Sequence, residues 1–196
     1  EDHSIKGIWC VPRYSNPTGI TYSADVVEGL AKMEAADDFR IFWDNAYHVH
    51  HLVDNPKPLA NMMDACKRAN HPDRVYIFGS TSKISYAGAG VAMFAASERN
   101  IAETLRHLSN QTIGFDKVNQ LRHVLFFESM TGIERHMRKH AAILKPKFDC
   151  VDEVLRNQLG RGDFANWSTP EGGYFTSLDT RPGLASKVVA MADQAG

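Results

Sequence analysis

Short apolar runs alternate with helical patterns along the first half of the chain. The runs are residues 7–12, 39–43, 75–79 and 91–96, and runs of this length and character are typical of buried strands. Between the first two, residues 24–36 carry apolar side chains at helical spacing. This alternation predicts an α/β fold, with a mostly parallel sheet flanked by helices.

The tetrapeptide Ser80-Thr81-Ser82-Lys83 directly follows the third run. Open α/β sheets bind ligands at the carboxyl ends of their strands, so Lys83 would stand at the ligand edge. We expect Lys83 to be poorly solvated there, which favours a neutral amine that can form a Schiff base with a carbonyl. The hydroxyls of Ser80 and Ser82 would bind a phosphate beside it. On the tetrapeptide alone, a plain surface lysine after a strand explains the pattern about as well.

Polar residues also follow the first two runs. Asn16 lies in the turn sequence Asn16-Pro17-Thr18-Gly19, and Asp44 comes directly after the second run, shortly before Tyr47. Because parallel strands bring their carboxyl ends to one edge of a sheet, an amide, a carboxylate, a phenol, two hydroxyls and a lysine would meet there. Taken singly, the first motif is equally a plain turn, and Asp44 is equally an exposed strand-end residue or a helix cap.

Charge and hydropathy argue against several classes of partner. The formal net charge of -1 gives no electrostatic reason to expect nucleic acid or an anionic membrane. No apolar run approaches the length that spans a membrane. The hydrophobic fraction of 43% is ordinary for a globular domain, so a packed core is expected.

The histidines and cysteines do not form a metal-binding pattern. None of the nine histidines has ligand spacing together with a cysteine, so no metal site is expected. Three of them follow Tyr47 closely, and we interpret these as loop residues: His48, His50 and His51. The cysteines are few, odd in number and far apart, which argues against a disulfide framework and favours a reducing, cytoplasmic compartment: Cys10, Cys66 and Cys150.

The pattern changes in the second half of the chain. Residues 115–130 and 132–159 predict two long helices, the second kinked rather than ended by Pro146. The apolar side of the first helix is expected to consist of Val118, Leu121, Val124 and Leu125. Residues 164–168 and 173–178 predict two short strands before a further helix, and we expect them to open a small α+β unit.

The ordered set of strand-end motifs resembles the fold-type I pyridoxal-phosphate enzymes, specifically the class I/II aminotransferases. The motif Ser80-Thr81-Ser82-Lys83, with Ala87-Gly88-Ala89-Gly90-Val91 after it, is most similar to a divergent aspartate aminotransferase subgroup related to the domains of MocR-type regulators. Pro170-Glu171-Gly172-Gly173-Tyr174-Phe175 resembles the start of the family's small domain. The resemblance implies that residues 1–135 are the C-terminal part of the large cofactor-binding domain. Residues 136–196 would then be the connecting helix and the first part of the small domain.

The resemblance implies a catalytic role for Lys83, Asp44 and Tyr47. Lys83 would hold pyridoxal 5'-phosphate as an aldimine and, once the substrate amine replaces it, would move the proton between Cα and C4′. Asp44 would pair with the pyridine nitrogen and keep it protonated, which makes the ring an electron sink. Lys83 and Asp44 would therefore act on the reacting part of the cofactor.

The resemblance also implies contacts around the rest of the cofactor. Tyr47 and Asn16 would hydrogen-bond to the 3′ oxygen of the ring, and Asn16 would also reach the substrate carboxylate. Tyr47 would thereby tune the protonation of the reacting centre. Ser80 and Ser82 would bind the phosphate.

The sequence departs from the family pattern in two respects. Most class I members carry a phosphate-binding arginine eight residues after the lysine, where this chain has Val91. The resemblance also places the family's N-terminal half before this chain, and the arginine that binds the substrate α-carboxylate after Gly196. We expect the chain to be an internal fragment of a longer protein, inactive on its own.

The leading hypothesis is an aminotransferase that moves an amino group between an amino acid, aspartate, and a 2-oxo acid, 2-oxoglutarate, in a homodimer. A second hypothesis is the cofactor-binding sensor domain of a MocR-type transcriptional regulator. A third is a pyridoxal-phosphate-dependent lyase of the same fold, because the same motifs would serve it. An α/β domain without cofactor would require all three strand-end motifs to be coincidence.

Overall fold

The computed structural model describes residues 4–160 and 164–196. Its main sheet contains four strands in the order β1-β2-β3-β4. Their bounds are β1 Gly7–Cys10, β2 Arg40–Asp44, β3 Val75–Ser80 and β4 Ala92–Ala95. β1, β2 and β3 pair in parallel, which confirms the predicted mostly parallel α/β sheet.

The fourth strand runs antiparallel to β3. A parallel strand needs a crossover of about a dozen residues or more, usually a helix. The connection between β3 and β4 holds only turns and loop, so the chain returns directly along its neighbour. The loop that carries Lys83 is therefore the link between two paired strands.

Six helices are assigned within the described residues: α1 Ala24–Lys32, α2 Met62–Arg68, α3 Glu98–Gln111, α4 Lys117–Phe127, α5 Met130–Leu159 and α6 Ala185–Ala195. Most begin at a side-chain cap; the hydroxyl of Ser97, for example, accepts a hydrogen bond from the amide of Asn100 at the start of α3. Pro146 lies inside α5, and the helix continues through it as predicted. In residues 4–160 and 164–196, no helix is long and apolar enough to cross a membrane.

A two-stranded antiparallel sheet follows α5, formed by β5 Ala165–Trp167 and β6 Leu178–Thr180. The prediction of the second strand at residues 173–178 is wrong in position. The backbone of Gly173 instead bonds to the carbonyl of His50, and only from residue 178 does the chain pair with β5. The intervening segment is thus held by the large sheet's loops.

One face of the main sheet, the covered face, packs against α1 and α2. Its core includes Cys10, Ile41, Trp43 and Val75 from the strands, with helix residues Val27, Ala31, Met62, Ala65 and Cys66. The buried Arg74 closes this layer, because its guanidinium donates to the carbonyls of Ala31 and Met33 at the end of α1 (3.0 and 2.7 Å). Cationic donors suit the carbonyl end of a helix.

The opposite face of the sheet carries a row of aromatic rings, which we call the aromatic face: Trp9, Phe42, Tyr76, Phe78 and Phe94. The Trp9 ring stacks on Phe42 with centroids 5.7 Å apart. Trp9 is nevertheless 62% exposed. The two faces therefore share an apolar character and differ in what covers them.

The predicted apolar side of α4 is not buried by the described residues. Val118, Leu121, Val124 and Leu125 are all exposed. The helix instead buries His123 and Phe127, which lie towards the Lys83 loop and α5. Apolar periodicity gives the face of a helix but not whether a neighbour covers it.

Candidate active site

The carboxyl ends of the three parallel strands form one edge of the sheet. Asp44 is the last residue of β2 and lies in register with Phe78, two residues before the end of β3 at Ser80. The loops that leave this edge carry Asn16 after β1 and Tyr47 after β2. The predicted polar residues are thus brought to a common edge.

Tyr47 is the residue around which the others gather. Its ring is 4% exposed, and its centroid lies 4.9 Å from Nζ of Lys83. Burial raises the pKa of the Tyr47 phenol, and the negative charge of Asp44 raises it further, while a hydrogen bond with the Asn16 side chain partly opposes this rise. The phenol therefore keeps its proton at neutral pH and can donate a hydrogen bond.

Asp44 is held in a defined orientation by its own loop. Its Oδ1 accepts a hydrogen bond from the amide of Ala46 at 3.1 Å. The side chain is half-buried, at the edge where β2 meets the aromatic face. A carboxylate fixed in this way can pair with a cationic ring nitrogen without first being ordered.

The prediction that Lys83 is poorly solvated is wrong for the described chain. The lysine is exposed, although its ammonium group lies over the Tyr47 ring. It extends from a turn beyond the end of β3. The described residues therefore leave the Lys83 side chain in contact with solvent.

The loop that carries Lys83 is fixed from the side of β4. Thr81 donates its amide to the carbonyl of Val91 (2.9 Å), and its hydroxyl accepts the Val91 amide (2.8 Å). Nε2 of His123 contacts the hydroxyls of Thr81 (3.0 Å) and Ser85 (2.7 Å). Most members of the family that the sequence resembles carry a phosphate-binding arginine at position 91. In this chain the backbone carbonyl and amide of Val91 close the loop by bonding to Thr81.

The two candidate phosphate-binding serines lie within this turn. The hydroxyl of Ser80 accepts the amide of Ser82 at 3.4 Å. Ser82 is exposed and approaches Gly90 so closely that a Cβ there would lie 2.5 Å from its hydroxyl oxygen. Glycine at position 90 therefore permits the close approach of the two ends of the loop.

Two site residues were missed by the sequence analysis. His50, interpreted as a loop residue, is 2% exposed and donates from Nε2 to the carbonyl of Lys83 at 3.1 Å. The hydroxyl of Tyr174 donates to the same carbonyl at 3.2 Å. Burial lowers the pKa of His50. His50 lies in the turn that begins at Tyr47, whose carbonyl accepts the His50 amide.

Tyr174 reaches the site because its segment is tied to the loop after β2. The amide of Leu52 donates to the carbonyl of Glu171 (2.8 Å), and the amide of Gly173 donates to the carbonyl of His50 (2.9 Å). Gly172 lies so close that a Cβ there would be 2.2 Å from the His50 carbonyl oxygen. Residues from the predicted small unit are therefore part of the site.

The chemistry available at this edge is that of an amine, a carboxylate, a phenol, an amide and hydroxyls. In the parts of the chain that the structure describes, no three His, Cys, Asp or Glu side chains are placed to hold a metal ion. The set can bind a polar aromatic ligand that carries a carbonyl and an anionic group, with the lysine beside the carbonyl.

Comparison with known proteins gives a consistent family. The sequence model of the family described as aspartate amino-transferase matches residues 1–196. An aspartate aminotransferase of Corynebacterium glutamicum is 47% identical over 193 residues, which are 98% of this chain and 45% of that protein. The crystal structure of an aspartate transaminase from the same organism superposes with a TM-score of 0.93 at 47% identity, covering 97% of this chain and 45% of that chain.

A regulator is also similar, at a greater distance. The HTH-type transcriptional regulator NorG of Staphylococcus aureus is 25% identical over 175 residues, which are 88% of this chain and 37% of that protein. The chain spans about half the length, or less, of the curated relatives it matches.

Proposed function

This chain belongs to the aspartate aminotransferase family, and we propose that the intact protein is a pyridoxal-phosphate-dependent aminotransferase. The observation that carries the proposal is the convergence of Asn16, Asp44 and Lys83 on the buried ring of Tyr47. These are the groups that the sequence motifs nominated, and they come from three separate strand ends. The 47% identity to a named aspartate aminotransferase supports the same reaction class.

The donor set fits the cofactor group by group. The amine of Lys83 suits the aldehyde, the carboxylate of Asp44 suits the pyridine nitrogen, and the phenol of Tyr47 suits the ring oxygen, with Asn16 beside it. The hydroxyls of Ser80 and Ser82 suit the phosphate. When bound, pyridoxal phosphate supplies an electron sink that stabilises negative charge at the substrate Cα.

The chain's own residues then have defined tasks. Lys83 would hold the cofactor through its amine, and the same amine, once free, would take the proton from the substrate Cα. Asp44 would hold a proton on the ring nitrogen by charge pairing. Tyr47 keeps its proton because its pKa is raised, so it orients the ring oxygen as a donor while Asn16 fixes the phenol.

We extend the proposal to substrate, assembly and location. Aspartate and 2-oxoglutarate are proposed as substrates because the named relative of 47% identity is an aspartate aminotransferase. A cytoplasmic homodimer is proposed from the family and from the cysteine pattern. We further propose that residues 1–135 belong to the large domain and residues 136–196 to the connecting helix and small domain. The 196 residues alone are proposed to be inactive.

Borohydride reduction of the intact protein with pyridoxal phosphate, followed by peptide mass mapping, tests the proposal. We expect a pyridoxyl adduct on Lys83 and oxaloacetate formation from aspartate and 2-oxoglutarate. Lys83→Ala should lose both. The matched control is Lys32→Ala, at the end of α1 on the other side of the sheet, which should keep both. A folded wild-type protein without an adduct on Lys83 would overturn the proposal.

The similarity to NorG favours one second candidate, a sensor domain that binds the cofactor without turnover. The same trapping experiment separates the two. An adduct on Lys83 with no change in any amino acid or 2-oxo acid supplied would favour the sensor. Release of carbon dioxide or ammonia, without transfer of the amino group, would instead indicate a lyase.

A further inference from the structure

We propose that His50 and Tyr174 are positioning residues for Lys83. Their hydrogen bonds to its main-chain carbonyl fix the point from which its side chain moves. The inference rests on the proposed function, because it concerns the lysine that would hold the cofactor. Neither residue is itself proposed to touch substrate or cofactor.

The carbonyl of Lys83 needs donors from outside its own turn. Within the turn, the amides of Ile84 and Ser85 both bond to the carbonyl of Thr81 (2.9 and 2.8 Å). The Lys83 carbonyl instead accepts hydrogen bonds from Nε2 of His50 (3.1 Å) and from the hydroxyl of Tyr174 (3.2 Å). Polar groups at such a site are normally paired, and here both partners are supplied by distant segments.

The two donors form one unit. Their rings are in edge contact, with centroids 5.2 Å apart, and the amide of Gly173 donates to the carbonyl of His50. The next carbonyl along the loop, that of Ile84, is held in the same way by Nε2 of His136 from α5 at 2.9 Å. Two successive peptide groups at the lysine are therefore bound by imidazoles from different elements.

Such anchoring matters because the lysine has two positions to reach. Its amine must bond to the cofactor and later lie within proton-transfer distance of the substrate Cα. The side chain is long and flexible, and it is exposed in the described chain. A fixed main-chain position reduces the conformations that the amine must search, so loss of an anchor should affect the proton-transfer step more than substrate binding.

The contact itself can be observed by NMR without cofactor or turnover. Lys83-Ile84 is the only Lys-Ile step in these 196 residues. Labelling the intact apoprotein with [¹³C′]lysine and [¹⁵N]isoleucine therefore selects the carbonyls of Lys-Ile steps, and the signal that an Ile84→Val sample loses is that of Lys83. Tyr174→Phe should move this carbonyl resonance upfield. The control Tyr22→Phe removes a hydroxyl that bonds to Cys10 and should leave the resonance in place.

The kinetic consequence is tested on the holoenzyme. Tyr174→Phe should lower kcat about fivefold, the factor that corresponds to one ordinary hydrogen bond, with little change in KM. The isotope effect with Cα-deuterated aspartate should rise, because proton transfer becomes slower relative to other steps. His50→Gln retains an N–H donor and should keep most of the activity, whereas His50→Leu should not.

The outcomes separate this inference from the proposed function. If wild-type protein forms the Lys83 adduct but Tyr174→Phe changes neither the carbonyl resonance nor kcat, the positioning role is overturned and the function stands. A resonance that moves while kcat and the isotope effect stay unchanged also overturns it. If wild-type protein forms no adduct, the proposed function fails and the positioning role fails with it.

Discussion

The two faces of the main sheet are both apolar, yet only one of them is closed by this chain. Trp43 on the covered face is 2% exposed beneath α1 and α2, whereas Trp9 on the aromatic face is 62% exposed. Because side chains alternate between the two faces along a strand, Asp44 lies on the same face as Phe42, and Ser80 on the same face as Phe78. The candidate site therefore belongs to the aromatic face. Strand pattern thus determines which residues share a face, and packing partners determine whether that face is a core.

The largest effect should come from the covered face. Trp43→Ala in the intact protein should lower the free energy of unfolding by about 3–5 kcal/mol, because it leaves a cavity in a closed core. Urea denaturation measures this change. A loss below about 1 kcal/mol would contradict the assignment of this face as the core of the chain.

Trp9→Ala tests the aromatic face by the same measurement, the free energy of unfolding. Trp9 is the exposed member of a contiguous row of aromatic rings whose other members are half-buried, and proteins rarely leave such an apolar surface open. We therefore expect a loss of at least about 2 kcal/mol in the intact protein, where residues outside this chain can cover the aromatic face. A loss near zero would show that this face stays open in the complete molecule.

The next effect separates chemistry from stability on the site's side of the sheet. Asp44→Ala should lower kcat by about 10²–10³-fold, since a fixed charge opposite developing charge contributes about that much. The adduct on Lys83 should still form. Asp38→Ala, near the opposite end of the same strand and paired with Lys6, is the matched control and should keep full activity. An unchanged rate in Asp44→Ala would exclude it as the ring-nitrogen partner.

The smallest effect is a difference in how the stability of the fold depends on pH, between the candidate-site side of the sheet and the covered face. Burial, and then the charge of Arg13, lower the pKa of His51 to about 4, so the folded state binds its proton less tightly than the unfolded state. The stability that depends on neutral His51 is present above pH 6.5 and is lost as pH falls towards 4. On the covered face, burial raises the pKa of Cys66 to about 11, so its contribution is lost as pH rises from 9 towards 11.

Urea midpoints of the intact apoprotein across this pH range measure both responses. His51→Gln should flatten the acid side only, and Cys66→Ala should flatten the alkaline side only. The acid slope should not vanish, because burial also lowers the pKa of His50. A midpoint that rises on acidification from pH 6.5 would have the wrong sign and contradict the assignment for His51.

The sequence was most informative where local pattern and chain order suffice. The apolar runs predicted the parallel strands, and their ends predicted that Asn16, Asp44 and Lys83 lie near one another, which the structure shows around Tyr47. These features depend on hydrophobic periodicity and on the rule that parallel strands end at one edge. Both can be read without knowing any long-range contact.

The rest depends on contacts between distant segments. Tyr174 reaches a carbonyl 91 residues earlier in the chain, and His50 is buried by that same segment, so neither role has a local signature. The exposure of Leu121 on α4 likewise depends on a neighbour that periodicity does not specify. The direction of β4 followed from the short connection after β3, which the sequence analysis did not use.

The tie between Glu171 and the loop after β2 also has a consequence for synthesis. The amide of Lys57 donates to the carboxylate of Glu171, a partner 114 residues later in the chain. Domains acquire structure from the N-terminus as they leave the ribosome, and contacts of large sequence separation form late. A nascent chain can therefore complete its sheet and present Lys83 while Tyr174 is still inside the exit tunnel. The hydrogen bond from Tyr174 to the Lys83 carbonyl therefore forms after the main sheet has folded, and the site is completed only then.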